Sequence, residues 1–166
     1  MKKIIFIIIS SILFFSSSGC SGYKSIYSSS NFNFKIEDYS IKGDERLGNL
    51  IYRKLYGTSL SNNNNPAAQS IILSIETNKE KKSTIKNNAG KILEYEIKLN
   101  TKIIVDDYLT DKRLLDQNFN YSISYKVQDE HSETIKLENR NIENLIDKTY
   151  QDALIKISNV TFKNDN

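Results

Sequence analysis

Residues 93–105 read LEYEIKLNTKIIV, and this stretch decides the fold. Leu93, Tyr95, Ile97, Leu99, Thr101, Ile103 and Val105 fall on one side of an extended chain, and Glu94, Glu96, Lys98, Asn100 and Lys102 on the other. Side chains of a strand alternate between faces, so this pattern marks a strand buried on one face only. Thirteen residues of strand span about 43 Å. Leu115 to Val127 repeats the pattern, with Phe119, Tyr121, Ile123, Tyr125 and Val127 alternating with Asn118, Asn120, Ser122, Ser124 and Lys126. The segment DDYLTDKR at 106–113 turns the chain between the two. Together they predict a sheet with one apolar face and one wet face.

Upstream, Ser70–Asn78 places Ile71, Leu73 and Ile75 on one side of a further strand. The polar, basic segment 79–91 (KEKKSTIKNNAGK) is expected to be the hairpin tip that joins it to the long strand. A loop is expected over 57–69 (GTSLSNNNNPAAQ). Before it, Gly43-Asp44 opens a helix of about 12 residues. Asp44 caps its free amides, Leu47, Leu50, Ile51 and Leu55 share one face, and Gly57 stands as its C-terminal glycine. Residues 32–41 alternate at Phe32, Phe34 and Ile36, then change phase to Tyr39 and Ile41, which predicts a first strand with a bulge or bend near Asp38.

The apolar sheet face needs a cover. Ile142, Leu145, Ile146, Thr149, Ala153, Leu154 and Ile157 recur at the 3, 4, 7 spacing of a helix face, predicting a helix over 140–158 with a start as early as Ser132. Lys148→Asp152 and Asp152→Lys156 pairs are expected on its exposed side. The whole predicts a two-layer α+β domain over residues 32–160, with 161–166 as a frayed tail. Its order is strand-helix-strand-strand-strand-helix: a four-stranded mixed sheet with two helices packed on one face. The first helical connection suits a parallel first pair, the next two junctions suit antiparallel hairpins, and the strand order in space stays open.

The N-terminus carries a different signal. After Met1-Lys2-Lys3, Ile4 to Phe15 is a 12-residue apolar run that ends in Ser16-Ser17-Ser18-Gly19-Cys20. As a helix it spans about 18 Å, short of the roughly 30 Å of bilayer hydrocarbon, so residues 1–19 are expected to be a signal peptide. Ser18-Gly19-Cys20 resembles the lipobox of bacterial lipoproteins, although that family prefers Leu where this chain has Ser17. The resemblance implies lipidation of Cys20, cleavage before it, and attachment of three acyl chains, enough for stable anchoring. Ser21 follows where an Asp would favour inner-membrane retention, which leans toward the outer membrane. Residues 20–31 are then the acylated cysteine and a Ser-rich tether.

Composition excludes much. One Cys and one His rule out multi-thiolate and multi-His metal sites. Of 23 Lys and Arg, Lys2 and Lys3 fall in the leader, leaving 21 against 20 Asp and Glu, a balance unlike that of a nucleic-acid binder. Cys20 and His131 are 111 residues apart and form no catalytic pair; His131 reads as an exposed loop or helix-start residue. Asp106-Asp107 and Asp129-Glu130 are adjacent carboxylates at strand ends, where neighbouring side chains diverge. The six scattered Gly form no phosphate loop. No cofactor, metal or enzymatic activity is expected. Lys79, Lys81, Lys82, Lys86 and Lys91, offset only by Glu80, have two readings: a solvated tip, or an electrostatic contact with anionic lipid head groups. Tyr23, Tyr27, Tyr52, Tyr56, Tyr108 and Tyr150 are the surface aromatics, while Tyr95, Tyr121 and Tyr125 belong to the core face.

With these elements in order, the chain resembles the LPS-assembly lipoprotein LptE family. The resemblance rests on Cys20-Ser21-Gly22-Tyr23-Lys24-Ser25-Ile26-Tyr27, the alternating strand from Phe32 and the helix Leu47–Leu55. It continues through Tyr121-Ser122-Ile123-Ser124-Tyr125 and a long helix ending near Ile157. It implies a non-enzymatic, lipid-anchored protein of the cell outer membrane that faces the periplasm. Such a protein plugs the outer-membrane barrel LptD, aids its assembly and helps pass lipopolysaccharide to the outer leaflet. The wet sheet face would suit a polar barrel lumen. Two other classes fit the same features: an auxiliary lipoprotein of an ABC-type lipid transporter, favoured by a neighbouring permease and ATPase, and an envelope lipoprotein tethering or activating a cell-wall enzyme, favoured by co-purification with one.

Overall fold

The computed structural model describes residues 33–60 and 68–162. Along the chain, β1 (Phe34–Gly43), α1 (Glu45–Leu60), β2 (Gln69–Lys86), β3 (Ile92–Asp107), β4 (Arg113–Lys126) and α2 (His131–Phe162) follow one another in the expected order. The strands lie side by side as β1-β2-β3-β4, the first pair parallel and the other two antiparallel. Parallel neighbours need a crossover connection, and α1 is part of it.

Alternation dictates the layering. Ile71, Leu73, Ile75, Ile97, Leu99, Ile103 and Val105 are all buried, and Phe119 and Tyr125 extend their face into β4. Leu47, Ile51 and Leu55 of α1 close it over β1 and β2. Ile142, Leu145, Ile146, Ala153, Leu154 and Ile157 of α2 close it over β3 and β4. Each large apolar side chain buried this way contributes roughly 1.5–3 kcal/mol before entropy is counted. The helices also meet each other: Lys54 Nζ lies 2.8 Å from Asp147 Oδ1, and Thr58 Oγ1 lies 2.8 Å from the Tyr150 hydroxyl.

The expected bulge in β1 is present. Ile36 pairs with Ile71 and Asp38 with Ile72, so Glu37 is the extra residue, and Tyr39 and Ile41 regain the side of Leu73 and Ile75. The β1–α1 junction is pinned to mid-β2. Gly43 has φ 78°, and a Cβ there would sit 2.2 Å from the Thr77 carbonyl oxygen. The Asp44 amide donates to that same oxygen at 2.7 Å. Asp44 Oδ1 then accepts the Leu47 amide at 3.1 Å, the capping bond expected of it.

Four expectations need correction. First, α1 passes through Gly57 to Leu60. Its last turn is held by the Thr58–Tyr150 contact and by buried Ser59, whose hydroxyl donates to the Tyr56 carbonyl at 2.9 Å, so Gly57 is helical and caps nothing. Second, the hairpin tip is far shorter than 79–91. β2 runs to Lys86, and Asn87 closes the turn by accepting the Ala89 and Lys91 amides on Oδ1 at 3.0 and 2.9 Å. Third, α2 begins at His131 and runs to Phe162. Thr161 is buried, its hydroxyl on the Ile157 carbonyl at 3.1 Å, so the helix outlasts the end expected at residue 158. Fourth, Asp152 takes the Tyr121 hydroxyl as its partner, and the Lys148 ammonium lies 5.0 Å from the centre of that ring. Burial and this carboxylate push the Tyr121 phenol up to about 12.

Candidate functional site

Cys20, the leader and the tether lie outside the described residues. Of the five lysines expected on a tip, Lys91 lies in the turn before β3, and Lys79, Lys81, Lys82 and Lys86 fall within β2, where they divide between the two faces of the sheet. Lys82 points to the open face and pairs with Glu96 across the β2–β3 ladder at 2.9 Å. Lys81 points to the helix side. Its ammonium lies 2.5 Å from Glu138 Oε2, which also accepts the Tyr125 hydroxyl at 2.9 Å, and 4.2 Å from the centre of the Tyr95 ring. Burial works against the charge on Lys81, but the bonds to Glu138 and Tyr125 outweigh it and raise the ammonium above its usual value. Burial likewise opposes the Glu138 charge, and Lys81 and Tyr125 overcome it and lower that carboxyl. Lys79, half-buried, adds a weaker pull on the same carboxylate, and Lys86 is exposed at the end of β2. The structure therefore does not bring the four cations together as one patch.

A larger polar feature is the sheet face opposite the helices. Rows of side chains cross the strands in register: Lys42, Glu76, Lys102 and Asn118; then Asn78, Asn100 and Asn120; then Glu80, Lys98 and Ser122. Side chains link neighbouring strands, with Ser40 on Ser74 at 2.9 Å, Asn100 on Glu80 at 3.4 Å, Lys102 on Asp116 at 3.3 Å and Arg113 on Asp106 at 3.0 Å. The Lys82 contact lowers the Glu96 carboxyl. Glu76, Asn78, Asn100, Lys102, Asn118 and Asn120 line a shallow depression in this face. Both helices pack on the other side, so among the described residues this face is open. Its alternation was legible in the sequence; its row-by-row pairing required the register.

The remaining candidates have structural roles. Asp106 pairs with Arg113, and Asp107 organises the β3–β4 turn. His131 is exposed at the start of α2. Tyr52 stacks on Tyr39 at 3.9 Å and on Tyr56 at 5.5 Å, an aromatic run along β1 and α1. Among the described residues, no group of three or more His, Cys, Asp and Glu is arranged to hold a metal ion.

No family model and no curated protein matches this chain. Solved structures do. A minor lipoprotein from Acinetobacter baumannii superposes with a TM-score of 0.54 at 16% identity, covering 76% of this chain and 91% of that one. Uncharacterised lipoprotein B from Nitrosomonas europaea gives 0.57 at 14% identity, covering 80% and 86%. A proposed lipoprotein from Caulobacter crescentus CB15 gives 0.58 at 13% identity, covering 79% and 93%. At these identities the likeness shows a shared fold.

Proposed function

We propose that this chain is a lipid-anchored, non-enzymatic lipoprotein of the cell envelope, and more specifically the outer-membrane partner of the lipopolysaccharide-inserting barrel LptD. The observation that carries it is the open sheet face, a long surface of Asn, Ser, Lys, Glu and Asp tied across its strands and backed by a closed apolar layer. A plug in a water-filled barrel must present such a surface to the lumen wall. The likeness in sequence to the LptE family and the fold shared with solved lipoproteins support the reading. So does Cys20, placed where a lipobox ends. Lipopolysaccharide would meet the chain through Lys79 and Lys86, since Lys81 and Lys82 are already held by Glu138 and Glu96.

Photo-crosslinkers at Asn100 and Ser122, on the open face, should capture the barrel, and depleting the protein should lower the amount of assembled barrel and strand lipopolysaccharide inside the cell. Normal barrel assembly and normal surface lipopolysaccharide on depletion would sink the barrel reading and favour the transporter auxiliary. Mass spectrometry of membrane-extracted protein should show loss of residues 1–19 and a gain from acyl chains on Cys20.

A further inference from the structure

Among the described residues, one large apolar side chain stands apart from the others. Leu109, in the β3–β4 turn, is 84% exposed, whereas the next, Ile85, is 49% exposed; Tyr108, beside Leu109, is 48% exposed. A single leucine on the surface is ordinary. This one is held out by a built turn. Asp107 Oδ1 accepts the Leu109 amide at 3.1 Å, the Thr110 amide at 2.8 Å and the Thr110 hydroxyl at 2.7 Å. Gln69 Nε2 holds the other carboxylate oxygen at 2.8 Å. The Asp107 amide donates to the Lys112 carbonyl at 2.8 Å, and the Asp111 amide returns to the Asp107 carbonyl at 2.9 Å. Burying Leu109 therefore requires no ordering of the loop, which removes an entropic cost that contacts on mobile loops carry.

The turn also sits at a particular end of the domain. The Tyr108 amide donates to the Ser70 carbonyl at 3.0 Å, and the Gln69 amide to the Asn33 carbonyl at 3.0 Å. Two strand spacings, on the order of 10 Å, thus separate the turn from the place where the chain enters the sheet. Cys20 lies 13 residues before Asn33, a reach of at most about 45 Å. The basic β2–β3 turn is at the opposite end, about 50 Å away along β2.

We propose that the β3–β4 turn is a membrane-docking tip. Leu109 enters the acyl boundary of the leaflet that holds Cys20, and Tyr108 lies at head-group level, where aromatic residues with a polar end concentrate. This rests on the reading of Cys20 as the anchored residue. Tethering raises the local concentration of lipid around the turn, so one inserting leucine suffices where a free domain would need more. Asp111 and Lys112 offset each other in the turn and Arg113 is paired with Asp106, so Asp107 leaves the tip one negative charge and the contact draws on apolar burial, not on attraction to anionic head groups.

The sequence supplies its own probes, having no Trp and one Cys. The chain from Cys20 to Asn166 is coupled through the Cys20 thiol to a maleimide lipid in vesicles of phosphatidylethanolamine with a minority of phosphatidylglycerol. Leu109→Trp emission should shift to the blue and be quenched roughly twofold by lipids brominated high on the acyl chain, as for a side chain about 5–10 Å into the boundary. Ile85→Trp, at the far end, should show neither change, and raising the salt should not weaken the Leu109→Trp result. An unquenched Leu109→Trp on floating vesicles, or equal quenching at both positions, overturns the proposal. Failure of the anchoring reading shows separately, as unacylated Cys20 in membrane-extracted protein, because the thiol coupling supplies the anchor in the vesicle experiment.

Discussion

The two faces of this sheet hold the same strands together by different physics. On the helix-covered face, Ile71, Leu73, Leu99 and Ile103 are excluded from water. There cohesion comes from apolar burial, which scales with area and ignores salt. On the open face, Glu76, Asn78, Glu80 and Lys82 remain exposed, so their contacts with neighbours are screened by solvent. Cross-strand pairs of that kind contribute only a few tenths of a kcal/mol to about 1 kcal/mol each. The comparison teaches where this protein has freedom. The covered face sets stability, and the open face can change its chemistry without unfolding the domain.

The sharpest way to break that comparison is a pair of adjacent substitutions in β3. Ile97 is buried and its neighbour Lys98 is half-buried on the open face. Ile97→Asp places an unpaired carboxylate in the apolar layer and should cost more than about 4 kcal/mol, enough to unfold a domain of ordinary stability. Lys98→Gln should stay within about 0.5 kcal/mol. Urea midpoints of the two variants decide it, and equal losses would mean that the faces are assigned wrongly.

Next in size is the point where the backbone of β1 touches β2. Gly43→Ala forces a Cβ to 2.2 Å from a backbone oxygen at φ 78°. The left-handed conformation alone costs roughly 1–2 kcal/mol for an L residue, and the Thr77 backbone cannot swing away as a side chain would. A loss of about 3 kcal/mol is expected from urea unfolding. A loss under about 1 kcal/mol would show that the junction gives way easily.

How much of this was legible in the sequence follows the same division. Where alternation is backed by apolar residues, as at Leu93–Val105, strand, face and partner layer could be read directly. The Glu37 bulge was visible as the change of phase between Ile36 and Tyr39. The extension of β2 to Lys86 was not. Its pairing rests on Lys82 with Glu96, Thr84 with Glu94 and Lys81 with Glu138, and polar residues in such a run read equally well as a solvated loop. Gly57 and the last turns of both helices were misread because tertiary contacts, Thr58 with Tyr150 and the burial of Thr161, overrode local end signals. Nothing in DDYLTDKR announced that Leu109 would be held outward, because that depends on Gln69 reaching across from β2 to Asp107.

Lys81 marks the boundary between the two kinds of cohesion, lying on the covered side where apolar residues run out. A double-mutant cycle of Lys81→Met and Glu138→Gln should give a coupling of about 1 kcal/mol, discounted because about a third of the Lys81 side chain is open to water. The Glu138 carboxyl is lowered in the fold, so the unfolded chain binds its proton first as the pH drops. The coupling should therefore be full above the ordinary glutamate value, near 4.5, and fade as the pH falls below it. Coupling that stays constant from neutral to acid pH would show that the pair is not acting as charges.

A small effect whose sign carries the information lies where neither burial nor charge pairing operates. A Cβ built on Gly57 meets nothing within 4 Å, and the residue sits inside α1 without a left-handed φ. Gly57→Ala should then stabilise by about 0.5–1 kcal/mol, because alanine loses less backbone freedom on entering a helix. If Gly57 instead ended the helix in a left-handed conformation, as its place in the sequence suggests, the same substitution would destabilise by a similar amount. Thermal or urea unfolding resolves a difference of that size. A gain would also show that the last turn of α1, carrying Thr58 onto Tyr150, persists in solution and keeps the two helices joined over the covered face.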